Sequence, residues 1–238
     1  MKLADLVPID LSCLGAASLS HRKRETLELL SDKSFDAVLD VGCGDGQLTN
    51  MIADACNAAH VCGIDISEEL VFHAAERGVS AEVVNLNEDE FPFADAEFDL
   101  VYCSEVVDYL WDVDHCFSEI RRVLRDGGIF VVSTPNLAAF HNRVALALGN
   151  PPLPVRRSTD VLSGEDDRSP VSNRNTLFTV STLEETLGNH AFDVETVVGS
   201  TSYREKYSPL VKLADRTLAH FPALSYRIIV VARKTAEN

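Results

Sequence analysis

No stretch of the 238 residues approaches the ~20 consecutive apolar residues that a membrane-spanning helix requires. Asp5 and Asp10 break the apolar runs near the N-terminus, so no signal peptide is expected. Cys13 follows Leu11-Ser12 but lacks the apolar segment that precedes a lipoprotein site. The six cysteines are Cys13, Cys43, Cys56, Cys62, Cys103 and Cys116, and no two stand at C-x-x-C spacing. No zinc or other metal site is therefore expected, and the simplest reading is buried, reduced thiols in a cytoplasmic protein. Basic residues are also scarce: 21 Lys and Arg face 37 Asp and Glu, a formal net charge of −16. A nucleic-acid partner is disfavoured, because phosphate binding needs a basic surface. An anionic membrane surface would repel most of the protein. The 15 Arg and 6 Lys, with abundant Asp, suit either a high-salt cytoplasm or an ordinary acidic enzyme.

Residues 38–49, VLDVGCGDGQLT, carry the strongest local signal. An apolar run interrupted by Asp40 ends in three alternate glycines, Gly42, Gly44 and Gly46. Leu48, Ile52 and Cys56 then recur at helical spacing. A strand that ends in a glycine turn and opens a helix brings bare backbone to a ligand at a helix N-terminus. A second apolar run, HVCGIDI, ends at Asp65, an acid placed to take both hydroxyls of a ribose.

The spacing is G-x-G-x-G, not the G-x-G-x-x-G of dinucleotide binders. With Asp40 before it, the turn resembles motif I of the class I S-adenosylmethionine-dependent methyltransferases. FPFADAEFDLVYCSEVVDYLWD (91–112) resembles that family's fourth-strand region, EIRRVLRDGGIFVVSTPN (119–136) its helix and fifth strand, and FTVSTLEETLGNHAFDVETV (178–197) its sixth-strand unit. Together these cover roughly residues 36–200. The resemblance is to the broad small-molecule subfamily that includes quinone-biosynthesis and many sugar methyltransferases.

A helix is read near 21–31 and strands near 37–42, 60–66, 81–86, 98–103 and 128–133. Helices fall near 46–58, 67–77 and 113–125, the second capped by Ser67 and ended by Gly78, the third stopping at Gly127-Gly128. Ser181 with Glu184 reads as a capping box. VETVVGS and YRIIVVARK read as the last strands. The alternation predicts a single α/β domain over 1–238 with a parallel sheet covered on both faces. The resemblance makes it Rossmann-like and seven-stranded, mostly parallel, with the last strand antiparallel.

Residues 137–176 interrupt the rhythm. LAAFHNRVALALG reads as one helix after Asn136, and a Pro-, Ser- and charge-rich stretch follows. Its place after the fifth strand makes it a candidate substrate lid or a disordered segment. Asn150-Pro151-Pro152 resembles the N-P-P of amino-group methyltransferases but falls after the wrong strand.

The resemblance implies S-adenosyl-L-methionine as cofactor. Asp40, Gly42, Gly44 and Gly46 would hold its amino-acid part, and Asp65 with Ile66 would flank the ribose. Asn85 and the Leu86 N–H would meet the adenine; Cys103 and Ser104 would line the methionyl part. Many relatives read E-H where this chain has Asp108-Tyr109, which removes a family histidine. Asp108, His115 and His141 are the remaining general-base candidates. Tyr109, Asn136, Arg156 and Arg157 are candidate acceptor contacts, the arginines for an anionic acceptor, with Arg168 beside them. Methyl transfer to a small molecule or glycan, at oxygen, is the expected activity. The alternatives are a non-catalytic cofactor-binding regulator and a nucleotide-dependent oxidoreductase of the Rossmann type.

Overall fold

The computed structural model describes residues 21–152, 174–201 and 209–236. Cys13, Arg156, Arg157, Arg168 and most of the candidate lid lie outside the described residues.

Seven strands form one sheet: β1 (Ala37–Val41), β2 (His60–Asp65), β3 (Ser80–Val83), β4 (Phe98–Ser104), β5 (Leu124–Pro135), β6 (Phe192–Ser200) and β7 (Arg227–Lys234). Their order is β3-β2-β1-β4-β5-β7-β6. The first five are parallel, and β7 runs antiparallel to both β5 and β6. The order reverses between β1 and β4, so their carboxyl ends open a crevice where α/β sheets bind ligands.

Helices cover both faces. Leu39, Val101, Phe130 and Val230 point to one side, under α4 (Val113–Val123) and α6 (Val180–Asn189). Val38, Leu100, Tyr102 and Val131 point to the other, under α1 (His21–Leu30) and α2 (Gln47–Ala55). This period-two division is why β1 reads as an almost unbroken apolar run. Its one charge, Asp40, is buried and accepts a 2.6 Å hydrogen bond from Thr49 Oγ1 of α2. The remaining helices are α3 (Glu68–Glu76), α5 (Phe140–Ala147) and α7 (Pro209–Ala219). Among the described residues no helix is long and apolar enough to cross a membrane.

Several local expectations are corrected. Helix α4 ends at Val123 rather than at the glycine pair, because β5 begins at Leu124 and absorbs 125–128 in a register shift against β4. Strand β3 ends at Val83; the chain then leaves the sheet to turn at Asn85. Helix α5 starts at Phe140, since Asn136 Oδ1 accepts the Ala138 N–H and holds 136–139 in a turn. The cap of α6 is Thr179 with Thr182, not Ser181 with Glu184. The helix starts at Val180, which makes Thr182 its third residue.

On α1, burial pushes the Glu25 carboxyl up to about 7, helped by Glu28 and Asp215. The folded chain therefore holds this proton where the unfolded chain, with a value of 4.5, has lost it. Stability from this group is present at low pH and is lost as pH rises from 4.5 to 7. Glu25→Gln should match the parent near pH 4 and gain stability relative to it as pH rises towards 8. Urea unfolding at the two pH values checks this; equal gains at both would contradict it.

Candidate functional site

The turn after β1 is built on left-handed glycines, with φ of +80° at Gly42, +54° at Gly44 and +75° at Gly46. A β-carbon on Gly42 would stand 2.2 Å from Val106 Cγ2, so the turn and the chain after β4 pack at a distance only glycine permits. A β-carbon on Gly44 would meet nothing within 4 Å. Gly44 therefore presents backbone to the open crevice. Its N–H donates to Asp65 Oδ2 at 3.0 Å, while Asp65 Oδ1 accepts from Ser67 N at 3.0 Å. The carboxylate is locked in orientation, and each oxygen keeps a lone pair for a further donor. Ile66 lies beside it, 66% exposed.

Asn85 and Leu86 follow β3. Asn85 Oδ1 accepts from Asn87 N at 3.2 Å, and Leu86 is buried. Asn87 Oδ1 in turn accepts from Trp111 N at 2.9 Å and Asp112 N at 3.2 Å. The loops after β3 and β4 are thereby tied together across the mouth of the crevice.

On the β4–β5 side, Ser104 Oγ and Ser133 Oγ stand 2.8 Å apart, and Cys103 is fully buried. The next residue, Glu105, holds a left-handed φ of +57° that a non-glycine residue adopts at a cost. Its N–H donates to Ser133 O at 2.8 Å. Its Oε2 accepts from Arg227 Nε at 2.9 Å, and its Oε1 is buried with no hydrogen-bond partner. Asp108 is 1% exposed, and neither carboxylate oxygen accepts a hydrogen bond. Arg174 lies 2.6 Å from Asp108 Oδ2, an ion pair by distance that is off the hydrogen-bonding direction. Burial pushes the Asp108 carboxyl up to about 6, against the opposing pull of the Arg174 guanidinium. Arg174 also covers the Tyr109 ring at 5.3 Å. Residues 175 and 176 are stitched to the same loop: Asn175 N donates to Asp108 O at 2.8 Å, and Thr176 Oγ1 to Leu110 O at 2.7 Å.

The crevice thus brings Asp40, the glycines, Asp65, Ile66, Ser104, Asp108 and Tyr109 to one edge of the sheet. Other candidates stand differently. His115 Nε2 bonds Asp89 O at 3.0 Å, on the exposed first turn of α4. The His141 ring stacks on Tyr226, with centroids 5.0 Å apart. Burial holds His141 below the usual imidazole range. Asn136 spends its amide inward, donating to Pro222 O and Ser225 O. Three residues of this edge are not marked out by sequence alone. Glu105 lies in the fourth-strand segment and Arg174 in the Pro-, Ser- and charge-rich stretch, whereas nothing near Arg227 distinguishes it.

A cavity of about 720 Å³ lies at the opposite edge, around Lys33, Asp99, Arg125 and Arg233. Asp99 Oδ2 there accepts the Asp36 and Ala37 N–H groups, and Arg125 pairs with the same carboxylate, which makes it a brace at the amino ends of β1 and β4.

Residues 39–132 match the family model of a methyltransferase domain. A protein of Mycolicibacterium smegmatis, named a probable S-adenosylmethionine-dependent methyltransferase, is 42% identical over 103 residues, 43% of this chain and 39% of its own length. An O-methyltransferase of Aspergillus nomiae is 35% identical over 147 residues, 55% of this chain and 63% of its own. The chain thus spans less than two thirds of these relatives. The structure of an S-adenosylmethionine-dependent methyltransferase from Mesorhizobium loti superposes with a TM-score of 0.60 at 22% identity, covering 88% of this chain and 96% of the other.

Proposed function

We propose that the chain, which carries a methyltransferase domain over residues 39–132, is a class I S-adenosylmethionine-dependent methyltransferase that methylates a hydroxyl of a small molecule or glycan. The observation that carries the cofactor assignment is the Gly44–Asp65 hydrogen bond at the open end of β1. It aims a fixed carboxylate and a bare stretch of backbone into one crevice. Asp65 would take the ribose hydroxyls with Ile66 against the sugar and base. Gly42, Gly44 and Gly46 would admit the amino-acid part, with Asp40 beneath. Asn85 and the Leu86 N–H would meet the adenine, and Cys103 and Ser104 the methionyl chain. S-adenosylmethionine supplies the activated methyl group when bound.

What remains for the chain's own residues is to hold the acceptor hydroxyl and remove its proton. Asp108 suits that role. It is buried, its oxygens await a donor, and its carboxyl sits near pH 6. Arg174 Nη1 is likewise buried without a hydrogen-bond acceptor. A hydroxyl both donates and accepts, so it would complete Asp108 and Arg174 together. A sugar or uronic-acid hydroxyl fits this requirement. Among the described residues five cysteines are free thiols, and burial pushes Cys43 and Cys116 up to about 12. Burial thus keeps these thiols protonated.

Calorimetry decides the cofactor. The chain should bind S-adenosylmethionine and its demethylated product and ignore NAD. Binding of NAD with no response to either sulfur nucleoside would overturn the reading.

A further inference from the structure

Four charged side chains meet at the acceptor end of the crevice. Beyond burial and Arg174, the Asp108 carboxyl feels Glu105, which raises it, and Arg227, which lowers it. Two acids thus face two arginines, and the cluster is balanced in charge. Hydrogen bonding does not match that balance. Among the described residues Arg227 Nε reaches Glu105 Oε2, while Glu105 Oε1, both Asp108 oxygens and Arg174 Nη1 are buried with no hydrogen-bond partner. Because Nη1 is off the bonding direction to Asp108 Oδ2, its hydrogens remain for an atom that a ligand brings. Arg174 is held in place for such a ligand. Its guanidinium covers the Tyr109 ring, and Asn175 and Thr176 fasten the adjoining backbone to residues 108–110.

Methyl transfer upsets the charge balance. The acceptor oxygen bonds to the methyl carbon, the carbon–sulfur electron pair stays on sulfur, and the hydroxyl proton goes to Asp108. The sulfonium charge is gone, and so is the charge of Asp108. One acid, Glu105, then faces two arginines, and it is already bound to Arg227. The positive charge that starts on sulfur therefore ends on Arg174, whose side chain is only 10% exposed. A buried charge that loses its partner is strongly destabilised. A hydroxyl can accept from Nη1 but brings no charge to replace the one that Asp108 gives up. A carboxylate or phosphate on the same acceptor does bring it, and its paired oxygens suit the guanidinium fork. Such an anion needs a cation placed for it, because the chain as a whole carries −16.

We propose that Arg174 binds a carboxylate or phosphate carried by the acceptor beside the hydroxyl that is methylated. This rests on the reading of Asp108 as the base that receives the hydroxyl proton. It makes the substrate an anionic hydroxy compound and Arg174 a specificity-determining residue.

Two measurements test it, both at pH 9, above the Asp108 limb. In the first, the chain saturated with S-adenosylhomocysteine is titrated with methyl phosphate and with acetate in a calorimeter. The parent should bind at least one of them, and Arg174→Met should bind it tenfold or more weakly, the scale of one charge-assisted hydrogen bond. Arg174→Lys keeps the charge without the fork and should fall between. Both variants should retain the parent's S-adenosylhomocysteine affinity and melting curve. In the second, methyl-labelled S-adenosylmethionine is supplied with an extract of the source cells. The labelled product should stay on an anion exchanger. Lowering the pH to about 2 releases a carboxylate, whose ordinary pKa is ~4, and leaves a phosphate ester bound. With the retained acceptor, Arg174→Met should raise KM at least tenfold. Absence of anion binding in the parent, label in the unretained neutral fraction, or a KM unmoved by Arg174→Met overturns the proposal. So does a KM rise matched by an equal loss of S-adenosylhomocysteine affinity, since Arg174 would then only hold the fold. No transfer into any extract, with anion binding intact, would sink the hydroxyl-methylation reading and leave the Arg174 anion site standing.

Discussion

Asp108→Asn is expected to leave S-adenosylmethionine affinity within twofold and to lower methyl transfer by 100-fold or more. The size follows from general-base catalysis, which typically contributes about 10²–10⁴-fold. The measurement is methyl incorporation from labelled cofactor into an extract of the source cells, with calorimetry on the same protein. Transfer in the parent should rise with pH through about 6 and level off above, because only the ionised Asp108 accepts a proton. The variant should lose that acid limb. Arg174 opposes the effect of burial on Asp108, so Arg174→Met should move the limb to higher pH. A variant with full activity, or an acid limb unmoved by both substitutions, would remove Asp108 from the reaction and leave it a buried ion-pair member.

Asp65→Ala should weaken S-adenosylmethionine binding by tenfold or more. Hydrogen bonds to a charged group contribute roughly 1.5–3 kcal/mol each, and about 1.4 kcal/mol is tenfold in affinity. Two effects act together. The ribose loses its acceptors, and the N–H groups of Gly44 and Ser67 lose the carboxylate that orients the turn. Asp65→Asn separates them, since the amide oxygen can serve one N–H but brings no charge. It should fall between the parent and Asp65→Ala. An unchanged dissociation constant in a folded Asp65→Ala chain would show that the acid does not face the ribose.

Much of this architecture is local in origin, and so it was legible in the sequence. The period of two in β1, β4 and β5, and the helical spacing of Cys116, Phe117, Ile120 and Val123, state which side chains face the core. The alternation of such segments implies a covered parallel sheet. The glycine turn is a statement about backbone dihedrals, which neighbouring residues set; Gly42, Gly44 and Gly46 all adopt positive φ. Boundaries were less legible. Whether α4 ended at Val123 or at the glycines depended on how β5 pairs with β4, a contact across the sheet.

The acceptor side was decided by tertiary structure. Asp108 could be singled out from its place after a strand, but its protonation depends on burial and on Arg174, 66 residues away. Glu105 reads as an ordinary loop acid until its strained backbone, its buried Oε1 and its partner Arg227 are seen together. No sequence spacing links 105 to 227, because the pairing exists only through the β4-β5-β7 order. Periodicity reports what one element asks of its surroundings. Burial, charge pairing and exposed surface depend on what the other elements supply, and that is settled by packing across the whole sheet.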